Sequence, residues 1–237
     1  MVPFLIKDNH LKQLHYTNLY DIINMQMIIK INYEWGYAMS KEVVSYMLSG
    51  MDNMKSLQVQ LILQCAPFLK GIKIACIFNI TEENSRELYE ILEGTGIKFK
   101  ILTRNHGKCL VLLYRRESFS RYLKRTDVRE FLGSYGYEDV EPEKMLERLS
   151  KRVCQYSDGE ICFPHEIGAF LDYPIDDVKC FIEKDGKDSL FSGYWKVYNN
   201  PGRAKMIFWA YDKAKTSAVN EYLIGKSIRD IAYVAAC

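Results

Sequence analysis

His165 and Glu166 stand side by side after Pro164, where a helix start would aim backbone amides at an anion and favour a nearby carboxylate. An imidazole there could move a proton, or ligate a metal or haem iron, with Glu166 sharing the acid–base work. The structural alternative is a capping carboxylate beside a partly buried, hydrogen-bonded histidine. Cys65, in Cys65-Ala66-Pro67, becomes a nucleophile only if a cation or a helix start lowers its pKa. Lys70, Lys73 or His165 could do so; otherwise the thiol is a small buried hydrophobe. Lys73, Arg115 and Lys196 adjoin apolar runs, and gathered on one rim they would hold a carboxylate or phosphate. Tyr194 and Trp195, with Tyr198, could form an aromatic wall for a planar or anionic ligand; packed inward, they are the core side of a strand. Cys154, Cys162 and His165 invite a zinc reading, but a structural site needs a complete tetrahedral set and no second tight pair occurs, so no metal site is assigned.

These side chains need a scaffold, and hydrophobic spacing outlines one. From Lys41 to Gln64 the residues Val44, Met47, Leu48, Met51, Leu57, Leu61 and Ile62 recur mostly at helical steps, which predicts an amphipathic helix broken near Gly50 and ended by Pro67. Ile72 to Ile80 predicts a buried strand, followed by a helix capped by Thr81 that buries Leu88, Ile91 and Leu92. The alternation Ile97, Phe99, Ile101, the turn Asn105-His106-Gly107 and the apolar run from Cys109 to Tyr114 predict a hairpin. Helices follow at about 117–124, 127–133 and 142–153, the last opened by Pro142. Pro164 and Pro174 each open a short helix, giving a tight pair. Gly193 to Tyr198 alternates as a strand, and a long helix after Asn200-Pro201-Gly202 runs to about Leu223.

The expected class is therefore α+β: a small mixed sheet packed against several helices, with a C-terminal helix pair, strand and long helix. Two subdomains, 39–155 and 156–237, are expected to meet at the polar turn from Tyr156 to Glu160. Residues 1–38 read differently. Glu34-Trp35-Gly36 requires purine-rich codons just ahead of Met39, where a bacterial ribosome-binding site would sit, so 1–38 is expected to be a non-native or disordered leader.

Composition bounds the partners. With 237 residues, 48% hydrophobic and 26% charged, the chain can bury a substantial core. Its net charge of +2 gives no strong field for nucleic acid or an acidic membrane. The helix pair mimics a DNA-reading unit in spacing, but Asp176, Asp177, Glu183 and Asp185 would repel phosphates. No apolar run is long enough to span a bilayer. Seven cysteines without framework spacing fit a reducing cytoplasm. Phosphate-cradling glycine loops, dinucleotide fingerprints and serine-nucleophile elbows do not occur.

The block Phe163-Pro164-His165-Glu166-Ile167-Gly168, Tyr173-Pro174-Ile175-Asp176-Asp177-Val178 and Gly193-Tyr194-Trp195-Lys196-Val197-Tyr198 resembles a family from anaerobic bacteria known only as a domain of unknown function. The resemblance extends over about Met39 to Ile231, with Asp172 standing where the family pattern prefers glycine. It implies no reaction, cofactor or partner. The leading expectation is a site for a small anionic or planar ligand, with or without catalysis, in a cleft between the subdomains. His165, Glu166 and Cys65 would supply chemistry, and Lys73, Arg115, Tyr194, Trp195 and Lys196 would bind. A protein-docking or regulatory module is the second reading, and haem or iron handling the third.

Overall fold

The computed structural model describes residues 52–138 and 141–232. The expected leader 1–38, the start at Met39 and the helical positions 41–51 lie outside the described residues, as does Cys237.

The first described helix, α1, is Asn53–Leu69, and the Asp52 carboxylate caps it by accepting the Lys55 N–H at 2.8 Å. Pro67 does not end it as expected. Its ring is compatible with helical φ, its missing donor affects only one bond, and its carbonyl accepts the N–H groups of Ile72 and Lys73. Cys65 consequently lies inside a helix, not at its end.

Three strands follow: β1 (Ala75–Thr81), β2 (Lys98–Asn105) and β3 (Lys108–Tyr114), with α2 (Ser85–Leu92) between β1 and β2. Thr81 ends β1 and does not cap α2, whose N-cap is Asn84. The β2–β3 turn is tight because His106 and Gly107 both take positive φ, 48° and 72°, matching the right-handed strand twist. The strand order is β1-β3-β2 and both pairings are antiparallel.

Strand alternation then divides the core. Ala75 and Ile77, with Leu110, Leu112 and Tyr114, face a cluster built by α3 (Arg116–Leu123), α4 (Thr126–Gly133) and α5 (Pro142–Ser157). Cys76, Phe78 and Ile80, with Cys109, Val111 and Leu113, face α1 and α2. The first cluster continues past residue 156 into α6 (Ile167–Phe170) and α7 (Ile175–Glu183), so apolar packing crosses the expected subdomain joint.

The expected strand Gly193–Tyr198 is instead a short hairpin, β4 (Phe191–Ser192) with β5 (Lys196–Val197). Gly193 makes it possible: a Cβ there would lie 1.9 Å from the Phe208 ring, so no larger residue fits that approach. Phe208 belongs to α8 (Pro201–Leu223), whose later turns run beside α1 and are tied to it by a Lys70–Glu221 ion pair. A last helix, α9 (Ile228–Ile231), not expected from the sequence, opens with a Ser227–Asp230 capping box. The class is α+β.

Candidate functional site

Asp177 joins the segment Tyr173 to Val178 to the segment Gly193 to Tyr198. Its side chain is buried on α7, and its Oδ2 accepts the Trp195 Nε1–H at 2.7 Å. Its Oδ1 accepts the Tyr198 and Asn199 backbone N–H groups at 3.0 and 2.7 Å and the Asn199 side-chain amide at 3.2 Å. A carboxylate with this many donors fixes the hairpin to the helix. The loop between α6 and α7 turns at Asp172 with φ of 61°, the left-handed region where glycine fits most easily.

Glu166 occupies the N-cap position of α6, but its side chain makes no capping bond, and it is not an exposed base. It is 1% exposed, its Oε1 pairs with the Arg152 guanidinium, and the Tyr137 hydroxyl donates to the same oxygen at 3.1 Å. Arg152, whose side chain is 27% exposed on α5, supplies the opposite charge that the buried Glu166 carboxylate requires. His165 lies between Phe163 and Phe181, with ring centroids 5.0 and 5.1 Å away. Burial there pushes its pKa below the usual imidazole range, while Glu166 and Asp185 pull it upward.

Lys196 shares Phe181 with His165: its Nζ is 5.9 Å from that ring and donates to the Gly186 carbonyl at 2.6 Å. Trp195 faces the other way. It lies in the turn just before β5, 7% exposed, packed against Tyr173 and Phe208 and held by its bond to Asp177. The expected trio of His165, Trp195 and Lys196 is thus split, two members on Phe181 and one on the Tyr173 side.

A second set of groups gathers on that Tyr173 side. Lys73 Nζ stands 5.0 Å from the Tyr173 ring and acts electrostatically on both Cys65 and Asp172. Arg125 and Arg203 also act on Asp172, whose carboxyl is nonetheless held above the usual range by burial. The Ile74 N–H donates to the same carboxylate. Lys215, on α8, is only 8% exposed, lies 5.9 Å from the Tyr194 ring, and interacts with Asp212 and Cys65. Burial lowers its pKa to about 8. The Tyr194 hydroxyl donates to Asp212 Oδ1 at 2.7 Å; burial and that bond raise its pKa, so it remains protonated.

Cys65 is fully buried against Cys76, and burial raises its thiol pKa well above the ordinary value despite Lys73 and Lys215. That environment opposes a thiolate nucleophile. Arg115 approaches the same pair through Cys76 but uses its guanidinium to cap α1, donating to the Phe68 and Leu69 carbonyls at 2.8 and 3.1 Å. Of the three cations expected on one rim, Lys73 and Arg115 flank the thiol pair and Lys196 lies at Phe181. Tyr194 joins the Lys215 set. Cys154 donates to the Leu102 carbonyl and Cys162 is exposed, and among the described residues no group of three or more His, Cys, Asp or Glu side chains is arranged to hold a metal ion.

Lys215 had a legible signal that spacing alone provides. It lies four residues after Tyr211 and three before Ala218, on the buried stripe of α8 rather than its wet face.

A family model described as protein of unknown function (DUF3793) matches residues 61–232, and the chain belongs to that family. No curated protein and no solved structure matches the chain. Among the described residues, no helix is long and apolar enough to cross a membrane.

Proposed function

We propose that the protein binds a small anionic molecule, a carboxylate or a phosphate, at the cationic seam of Lys73 and Lys215, with Tyr173, Tyr194 and Trp195 as the apolar wall. The observation that supports this reading most is Lys215 itself: a lysine only 8% exposed, beside the Tyr194 ring, Asp212 and the Cys65 thiol, is a perturbed buried cation of the kind that gathers at ligand sites. Lys73, half-buried at Tyr173, supplies a second cation from another element. Arg125 and Arg203 add to the positive field around Asp172. Relative to the expectation from sequence, Lys215 takes the place given to Lys196, and the imidazole of His165 is not used.

Thermal unfolding with small carboxylates, oxo acids and inorganic phosphate tests the reading. At least one of them raises the midpoint of the wild-type protein, since a ligand at a hundred times its Kd stabilises by about 2.7 kcal/mol. Lys73→Met abolishes the rise and Lys196→Met keeps it. A wild-type midpoint indifferent to all these anions, or an undiminished response in Lys73→Met, contradicts the proposal.

The docking-module reading draws on a separate observation. Met206 and Trp209, one turn apart on α8, are 67% and 58% exposed, a pairing that suits a protein partner on the face opposite the buried stripe.

A further inference from the structure

We propose that the outward line of α8 docks an acidic segment of another protein, one that sets an apolar anchor between aspartate or glutamate side chains. The inference rests on the docking-module reading and names the chemistry of the partner. Met206 and Trp209 stand in solvent, whereas the other large side chains of the same turns, Ile207, Phe208 and Tyr211, pack into the cluster of Trp195 and Val197. The Phe208 ring lies 4.5 Å from Trp195 and 5.9 Å from Phe191, so the inner side of the helix is fixed and the outer line is presented ready-made.

Cations border this apolar line. Lys213 Nζ lies 5.5 Å from the Trp209 ring, and Lys205 Nζ lies 5.7 Å from the Phe191 ring. Arg203, exposed like both lysines, adds a third positive charge one turn before Met206. The first turn of α8 holds no acid, and Asp212, the one carboxylate between Pro201 and Lys215, already accepts the Tyr194 hydroxyl at 2.7 Å. An apolar centre with a cationic border complements a partner of the opposite sign, with Trp209 as the anchor that carries most of the contact and Met206 as the adaptable neighbour. A second copy of this chain fits poorly, since a two-fold contact along the line sets lysines against lysines. A bilayer also fits poorly, because an interfacial helix buries a broad apolar face and only two large apolar side chains project here.

Random peptides displayed on phage, selected on the intact chain and counter-selected on Trp209→Ala, test this. The expected consensus places Asp or Glu beside an aliphatic or aromatic anchor. A synthetic peptide of that consensus binds Trp209→Ala at least about thirtyfold more weakly than the wild type, the loss typical of a hot spot. Reversing Lys205→Glu and Lys213→Glu together weakens it about tenfold, and a peptide with lysines in place of its acids regains binding to that variant. All three positions are exposed, so circular dichroism and thermal midpoints of the variants match the wild type. Trp209-dependent peptides without acids, or binding indifferent to the charge reversal, overturn the acidic class and leave the docking reading standing. If no selected peptide depends on Trp209, both fail. Sedimentation with phosphatidylglycerol vesicles that Trp209→Ala abolishes assigns the face to a bilayer, and a dimer that Trp209→Ala dissociates assigns it to a second copy; either result overturns the proposal.

Discussion

Asp177→Ala lowers stability by about 3 to 5 kcal/mol, the range for removing one partner of a buried charged hydrogen-bond set. The loss is large because the carboxylate is the common acceptor for the Trp195 indole, two backbone N–H groups and the Asn199 amide. Truncation leaves those donors facing a hole, and each orphaned donor costs about 1 to 3 kcal/mol. Asp177→Asn is milder. It retains the Oδ1 acceptor but turns an amide NH2 toward the Trp195 N–H, so one donor meets another where a bond at 2.7 Å existed. Urea unfolding of the three proteins should rank them wild type, Asn, Ala. An alanine variant within about 1 kcal/mol of the wild type contradicts the clamp, because such a change is typical of an exposed site.

Lys215→Met has the opposite sign at neutral pH: the variant is more stable than the wild type, by about 1 to 3 kcal/mol. The upper figure follows from a pKa lowered from 10.5 to about 8, since each unit corresponds to about 1.4 kcal/mol. Loss of the Asp212 and Tyr194 interactions offsets part of the gain. The pH dependence fixes the cause. The unfolded lysine binds a proton that the folded one has released between about pH 8 and 10.5, so wild-type stability rises with pH through that window. Below it both states are protonated and the burial cost is fully present. The methionine variant lacks this rise, so the two proteins converge toward pH 10. Chemical denaturation at neutral and alkaline pH measures the difference. A variant destabilised at neutral pH, or a gap that does not narrow on raising the pH, contradicts the assignment.

Much of the scaffold was legible because its elements are amphipathic. Leu88, Ile91 and Leu92 on α2 announce their buried face and the His106-Gly107 turn announces the hairpin, but β2 breaks its alternation: a register shift between Ile101 and Thr103 buries the adjacent Leu102 and Thr103. Pro67 misled, because a proline removes one donor and a packed helix can still run two residues past it, to Leu69. The site was harder, since its groups are distant in sequence. Asp177 looks like one acid among several on α7, and only the fold brings Trp195 to it. Arg152 and Glu166 each look exposed or functional until packing pairs them. Trp195 and Lys196 are neighbours in the chain, yet the hairpin turn and the Asp177 bond carry Trp195 to Tyr173 while Lys196 goes to Phe181. Lys215 was within reach of a stricter reading, as its register with Tyr211 and Ala218 places it among buried residues.

The seam itself is tested most directly by nuclear magnetic resonance of the lysine side-chain Cε–Hε groups during titration with glyoxylate. The account predicts that the Lys73 and Lys215 signals move together while those of Lys184 and Lys196, on the Phe181 and Tyr198 side, stay fixed. Movement confined to Lys184 and Lys196, or no movement at either seam lysine, contradicts it.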